Sequence, residues 1–307
     1  MSLPHGRLLN RAALEAAYVT YSTIFDMALA NTAVIYPELA TVMTGVGPVT
    51  EMKWLGDAPV MVEWTGNRQI SKLRAESHTL RTKWYANGIE IDHDDLAEDK
   101  LGIVRPRLET LAKMGPRKID ALVIDYLTSG FAATLGTTFD GQYLFDTDHT
   151  ADTGEGATSQ SNLQTGALSD TNYNAAREKM MKFVGTNGEP MEIQPDSLLV
   201  GPANQLVARK LLQQQFKANG EQNIDAGTAR LIINARIVGA AANYWFTLAL
   251  QAAVRAVVVG IQYPPEFAAL IGFEEKDYFM NRTGFAGAHM KMGLCYGAWQ
   301  SAVGSTG

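Results

Sequence analysis

Cysteine is almost missing from this chain. Cys295 is the single one in 307 residues, and a disulfide needs two. Noncovalent packing must therefore hold the fold. A lone thiol is also a poor start for a zinc site, which draws on several Cys or His ligands, so Cys295 reads as a small buried hydrophobe. Long basic runs are missing as well. No run of Lys and Arg exceeds the pair Arg117-Lys118, and the net charge is −6. Proteins that read nucleic acid carry a basic patch or stripe, so sequence-specific DNA or RNA binding is not expected. No apolar stretch reaches about 18 residues, the length of a membrane span. The closest, Ala240–Ile261, is interrupted by Asn243, Thr247, Gln251 and Arg255. The opening Met1-Ser2-Leu3-Pro4-His5-Gly6-Arg7 lacks the apolar centre of a secretion signal, so a soluble product of the cytoplasm is expected. Fingerprints of catalysis are missing too. There is no Gly-x-Ser-x-Gly elbow, no phosphate loop and no dinucleotide motif; Asn219-Gly220 and Gly227-Thr228 are plain loop residues.

What is present is ordinary globular composition, 46% hydrophobic and 19% charged. Residues Asn10–Leu29 carry apolar side chains at loose helical spacing and read as an N-terminal arm, with few partners nearby in sequence and so one for a neighbouring subunit. Tyr36–Ile91 looks extended. Val60–Trp64 reads as strand, Thr65-Gly66-Asn67-Arg68 as a turn, His78–Trp84 as strand again and Asn87-Gly88 as a second turn. Such a ribbon builds no core of its own and must lie on something. Pro106–Phe131 predicts one long helix, with Leu108, Leu111, Ala112, Gly115, Ile119, Leu122, Val123, Tyr126 and Leu127 on one face. Gly115-Pro116 interrupts it, yet the apolar phase continues, so a single bent helix is expected. Thr134–Ser169 reads as a long polar loop around the apolar island Tyr143-Leu144-Phe145. Thr171 is placed to cap a helix over Asn172–Phe183. From Met191 onward the pattern is α/β-like, with strands at Leu198–Val200, Leu231–Ile233, Tyr244–Leu250 and Val254–Ile261, a helix from Pro202 to about Phe216, and alternating Met290, Met292 and Leu294 near the end.

Two acidic groups tempt a reading as metal sites. His93 stands among Asp92, Asp94, Asp95, Glu98 and Asp99, a carboxylate density that a two-metal hydrolase would use. Adjacent strand residues point to opposite faces, however, so a strand end before a helix is the preferred reading. Asp146, Asp148, His149 and Asp152 offer oxygen ligands in a loop, without the spacing of a calcium-binding loop; Asp side chains capping turns is the preferred reading there. No metal, cofactor or catalytic residue is assigned. Arg68, Lys72, Arg74, Arg81 and Lys83 make the ribbon basic. Pairing with acids of another subunit, such as Asp94 and Asp95, is preferred over DNA phosphates, with Trp54, Trp64 and Trp84 as anchors.

An ordered set of residues resembles one family. It comprises Trp64-x-Gly66-x-Arg68, then Trp84-Tyr85-Ala86-Asn87-Gly88-Ile89-Glu90-Ile91-Asp92, then Leu101-Gly102, Pro106 and Met114-Gly115. Asp140-Gly141-x-x-Leu144-Phe145-Asp146-x-Asp148-His149, Ser161-Asn162, Pro190 and Pro195-Asp196-x-Leu198-Leu199-Val200-x-Pro202 follow. From about Val60 to about Val200 the chain is similar to the Mu-like phage major head subunits; Pro116-Arg117-Lys118 departs from the usual form.

The resemblance implies an α+β fold of the Hong Kong 97 capsid type. Its expected parts are an N-terminal arm over 1–48, an extended hairpin over 49–92, a peripheral domain with its spine helix over 93–185, an axial domain over 186–262 and return strands over 263–307. It further implies a major capsid protein that assembles with itself as hexamers and pentamers of an icosahedral head, in the host cytoplasm and then in the virion. A separate scaffolding protein, a portal and decoration proteins are the expected partners, with packaged DNA touched only non-specifically and no membrane. A metal-dependent hydrolase and a minor decoration protein are the competing readings.

Overall fold

The computed structural model describes residues 11–55, 75–92, 102, 104–151, 158–185, 188–217, 220–270 and 283–307. Two sheets organise them. The first has four strands in the order β1 (Thr41–Thr44), β11 (Val257–Leu270), β12 (Thr283–Tyr296) and β4 (Lys83–Asp92). The second has five, in the order β7 (Leu163–Gln164), β13 (Ala302–Ser305), β10 (Trp245–Leu248), β8 (Ser197–Val200) and β9 (Arg230–Ile233).

The long helix forms where the apolar phase places it. Helix α3 (Val104–Thr128) follows the N-terminal α1 (Arg11–Ala30) and the short α2 (Tyr36–Leu39) in the chain. It is one helix with Pro116 inside, and it buries Leu108, Leu111, Ala112, Ile119, Val123 and Leu127. It lies on the four-stranded sheet, where Ala286, Ala288, Met290 and Met292 of β12 alternate inward. Gly115 decides how closely the two can meet. A Cβ there would stand 3.0 Å from Pro265 Cγ. Pro264 and Pro265 lack the N–H that a ladder needs, and the β11–β12 register shifts between Tyr263 and Glu266 beside them. The helix thus seats on a bulge through its one side-chain-free position in that turn.

Helix α1 differs from expectation. It packs on its own chain: Phe25 is fully buried beside Leu108 and Ala112, and its ring lies 5.4 Å from that of Phe267. The segment after it buries Leu39 and Ala40 in the core and is fastened by side-chain hydrogen bonds as well. Asp120 of α3 accepts from the amides of Ile35 and Tyr36 at 3.0 and 2.7 Å. The Arg255 guanidinium donates to the carbonyls of Pro37 and Ala40 at 2.6 and 2.8 Å.

The extended hairpin is present at its base. Strands β2 (Val49–Leu55) and β3 (Ala75–Arg81) pair antiparallel and form a sheet of their own. Met52 and Leu80 tie that base to Val258 and Cys295. Asn87-Gly88 is no turn. Both lie within β4, opposite Ala288 and Gly287, and a Cβ on Gly287 would come within 2.8 Å of the Asn87 carbonyl. The partner strand supplies ten paired positions, which overrides a local turn preference.

Helix α4 (Asp170–Met181) covers the five-stranded sheet with Tyr173, Ala176 and Met180; α5 (Gln205–Gln213) does so with Ala208, Leu211 and Leu212. The cap of α4 is Ser169, whose hydroxyl accepts the Asn172 amide, and Thr171 sits inside the first turn instead. β11 is hydrogen-bonded to β12 from Val257 to Leu270, so 257–262 run with the spine-helix sheet. β13 crosses back beside β10, and α4 packs on that same sheet.

Candidate functional site

The long loop carries the most elaborate polar cluster among the described residues. His149 opens β5 (His149–Ala151), which pairs with β6 (Thr158–Gln160). Its side chain is fully buried, and Nδ1 donates to Asp140 Oδ2 at 2.6 Å. Thr138 donates its hydroxyl to the other Asp140 oxygen, and the Gln142 amide donates there at 3.2 Å. Burial alone would raise the Asp140 carboxyl. Hydrogen bonds from His149 and Thr138, the His149 charge and the Gln142 amide outweigh it and hold the carboxyl below its ordinary value.

Asn162 joins this loop to the five-stranded sheet. It is fully buried, and its side-chain amide donates to the carbonyls of Leu144, Trp299 and Ala302 at 2.6, 3.2 and 3.1 Å. Its Oδ1 accepts the Asp146 amide at 2.9 Å. The island Leu144-Phe145 is buried as a plug, with the Phe145 ring 4.8 Å from that of Phe131 and 5.5 Å from that of Phe246. Gly304 makes room for it: a Cβ there would meet the Phe145 ring at 2.8 Å.

This geometry separates the four residues considered as cation ligands. His149 faces inward to Asp140. The Asp146 carboxylate accepts from the amides of Thr147 and Tyr143 at 2.7 and 3.4 Å, which is turn capping. Asp148 is exposed, and Asp152 lies outside the described residues. Among the described residues no three His, Cys, Asp or Glu side chains gather for a metal. Sequence reasoning missed Asp140 as the partner of His149 and missed Trp299 altogether. Asp140 and Asn162 stood in the quoted motif, which signalled them without saying what they touch.

A second feature lies on the sheet face turned away from α3. Trp84 is 57% exposed there. Its ring stacks on Tyr263 at 5.5 Å and 9°, with Lys291 Nζ 5.3 Å from the ring centre. His289 lies 5.8 Å from the same ring and 3.8 Å from Glu266. Arg81 is exposed beside this strand, opposite Val49. The Trp54 backbone pairs with Glu76 in the ribbon. Trp64, Arg68, Lys72, Arg74, Asp94 and Asp95 lie outside the described residues, as do His93, Glu98 and Asp99. Cys295 is buried, 3.4 Å from the Met52 sulfur, and burial pushes its thiol up to about 12.

Comparison with known proteins agrees with this architecture. The chain is 35% identical over 136 residues to a Mu-like prophage FluMu major head subunit of Haemophilus influenzae, covering 44% of this chain and 43% of that one. It is 26% identical over 142 residues to the major capsid protein of Escherichia phage Mu, covering 46% of each. The matched stretch thus spans less than half the length of these relatives. The procapsid of bacteriophage JBD30 superposes with a TM-score of 0.63 at 19% identity, over 97% of this chain and 76% of that one. That likeness carries the fold, which is the Hong Kong 97 capsid type. The profile of the Mu-like prophage major head subunit gpT matches residues 14–169 and 164–237, together well over half of the chain. The chain belongs to the Mu-like prophage major head subunit family.

Proposed function

We propose that this chain is a major capsid protein, one that closes with copies of itself into the icosahedral head of a tailed phage around its DNA. The observation that carries the reading is the ribbon β2–β3. Among the described residues it pairs only within itself, and Met52 and Leu80 join its base to the core. A two-stranded ribbon is marginal alone in water, so it needs a surface supplied by a neighbour. A subunit of a closed shell meets that need at every position, through heterologous contacts that close by rotation.

Hexamers and pentamers are the proposed rings, built in the host cytoplasm and carried in the virion. Trp54, Trp64, Arg68, Arg74, Arg81 and Trp84 are the proposed contacts of one subunit, with Asp94 and Asp95 receiving the cations on the next. The stacked, half-exposed Trp84 supports this, since Trp is enriched where interfaces draw their energy. A separate scaffolding protein, a portal and decoration proteins complete the proposed assembly. DNA is held only non-specifically, which suits a chain of net charge −6. The role is mechanical and not catalytic, and His149 supports this by serving Asp140 inside the loop instead of facing solvent.

Negative-stain electron microscopy of the full chain, with and without a candidate scaffold, tests the reading. Rings, tubes or closed shells are the expected result. A monomer that persists at high concentration with both would overturn it.

A further inference from the structure

The side chains of His149 and Trp299 are fully buried, and their rings stack almost parallel. Each ring carries one buried nitrogen with no hydrogen-bond partner among the described residues, His149 Nε2 and Trp299 Nε1. Buried polar atoms are rarely left so, because each gives up its bonds to water on folding. The two nitrogens are complementary in kind. Asp140 is held in its charged form, against burial, by His149, Thr138 and Gln142. A charged carboxylate only accepts, so the hydrogen of the 2.6 Å bond between them sits on His149 Nδ1. A neutral imidazole with its hydrogen there keeps a lone pair on Nε2 and accepts at that atom. The indole Nε1 only donates. They cannot serve each other directly. An indole N–H lies in its own ring plane, and so does the imidazole lone pair. In two stacked, near-parallel planes neither points at the other.

We infer that the edge of this stack is a binding site for one water molecule, which accepts from Trp299 Nε1 and donates to His149 Nε2. Water fits where other occupants do not. A cation would face the indole hydrogen, and an anion would face the imidazole lone pair. Both atoms are closed off from solvent, so no larger solute reaches them. Water donates and accepts at an angle, which carries a hydrogen bond from one ring plane into the next. Rings in contact keep their nitrogens close, and two hydrogen bonds of about 2.9 Å each span such a gap. Buried water typically joins two to four polar groups that would otherwise go unpaired. The water also has work to do. With Nε2 accepting, the imidazole hydrogen stays on Nδ1, where it meets Asp140. The site therefore positions His149, and through it the carboxylate that Thr138 and Gln142 share. It ties β5 of the long loop to the 3-10 turn Trp299–Ser301. The inference concerns the single subunit and stands apart from the shell reading.

Magic-angle-spinning nuclear magnetic resonance of the full chain, isotope-labelled in histidine and tryptophan, tests it on free or assembled subunits alike. The His149 ring should carry its hydrogen on Nδ1 and none on Nε2. The Trp299 Nε1 hydrogen should exchange magnetisation with a water held far longer than bulk solvent. A wild-type ring with its hydrogen on Nε2, or an indole hydrogen with no bound water beside it, would overturn the inference. Trp299→Phe is the second arm, since it keeps an aromatic face on the imidazole and removes the donor. Water transfer to His149 should fall roughly tenfold in that variant, and part of the imidazole population should move its hydrogen to Nε2. Transfer to His149 unchanged by Trp299→Phe would mean that the indole holds no part of the water, and would overturn the shared site. The first arm is read on the wild type, so a variant that fails to fold leaves the test intact.

Discussion

The His149 imidazole lies flat on the Trp299 indole, ring centres 4.2 Å apart and planes 8° from parallel. The two lie far apart in the chain. One opens β5 in the long loop, and the other sits in the 3-10 turn just before the last strand. Phe183 meets the same indole edge-on at 5.1 Å. Aromatic contacts hold the ring, and Asp140 fixes its orientation through Nδ1. The loop is therefore bolted to the five-stranded sheet, and the bolt is made of a carboxylate, an imidazole and an indole.

Asp140→Asn should destabilise the folded subunit by about 2–4 kcal/mol, since it weakens a buried charge-assisted hydrogen bond and leaves the Thr138 and Gln142 donors a poorer acceptor. Urea denaturation measures the loss. Hydrogen exchange should show it concentrated in the loop around Thr138–His149. A variant as stable as wild type would mean that Trp299 stacking alone holds the loop.

Acidification should act through the same carboxyl. Asp140 is held below its ordinary value of 3.8, so in the folded state it binds its proton less readily than in the unfolded chain. The stability it contributes is complete above the unfolded value and is lost as pH falls through the folded one. The gap in urea midpoint between wild type and Asp140→Asn should thus narrow between about pH 5 and pH 3. Other carboxylates titrate alike in both chains, so the difference isolates this one. A gap that stays constant with pH would assign the effect to packing.

Much of this was legible in the chain. The spine helix followed from apolar spacing, and the apolar phase across Gly115-Pro116 carried the right answer against proline's usual effect. The plug Leu144-Phe145 stood out as an island in a polar loop. What could not be read was tertiary. Asn87-Gly88 has ideal hairpin chemistry, and only β12 running alongside makes it strand. Trp299 could not be paired with His149 from sequence, because no local pattern links residues so far apart. The resemblance marked Asp140, His149 and Asn162 as a set, yet only the folded chain shows that they share one job. Thr171 was the expected cap, and hydrogen-bond geometry places the cap two positions earlier, at Ser169.

Gly304→Ala should cost roughly 1–3 kcal/mol, because its methyl group would enter a rigid ring and not a flexible chain end. The Phe145 ring carbons stand 2.8 to 2.9 Å from that point. Phe145→Leu alone should also destabilise by leaving a cavity between Phe131 and Phe246. Together the two changes should be less harmful than their sum, a coupling that thermal unfolding of the four proteins reads out. Additive losses would mean that strand β13 shifts to admit the methyl group on its own.

Trp84→Ala separates folding from assembly. The indole is 57% exposed and touches its own chain mainly through the Tyr263 ring and Lys291. Losing a stack and a cation contact at a surface costs the isolated subunit about 1 kcal/mol. If Trp84 is an anchor between subunits, each copy in a shell also loses a desolvated aromatic contact, of about 2 kcal/mol at an interface centre. Every subunit of a closed particle bears that loss, so a modest change per contact becomes a large change in the concentration needed to assemble. Sedimentation of the variant should show folded, unassembled subunits at concentrations where wild type forms particles. Trp84→Phe should recover part of the assembly, since it keeps a ring on Tyr263 with less area. Normal particles from Trp84→Ala would confine this residue to stiffening the outer face of the sheet.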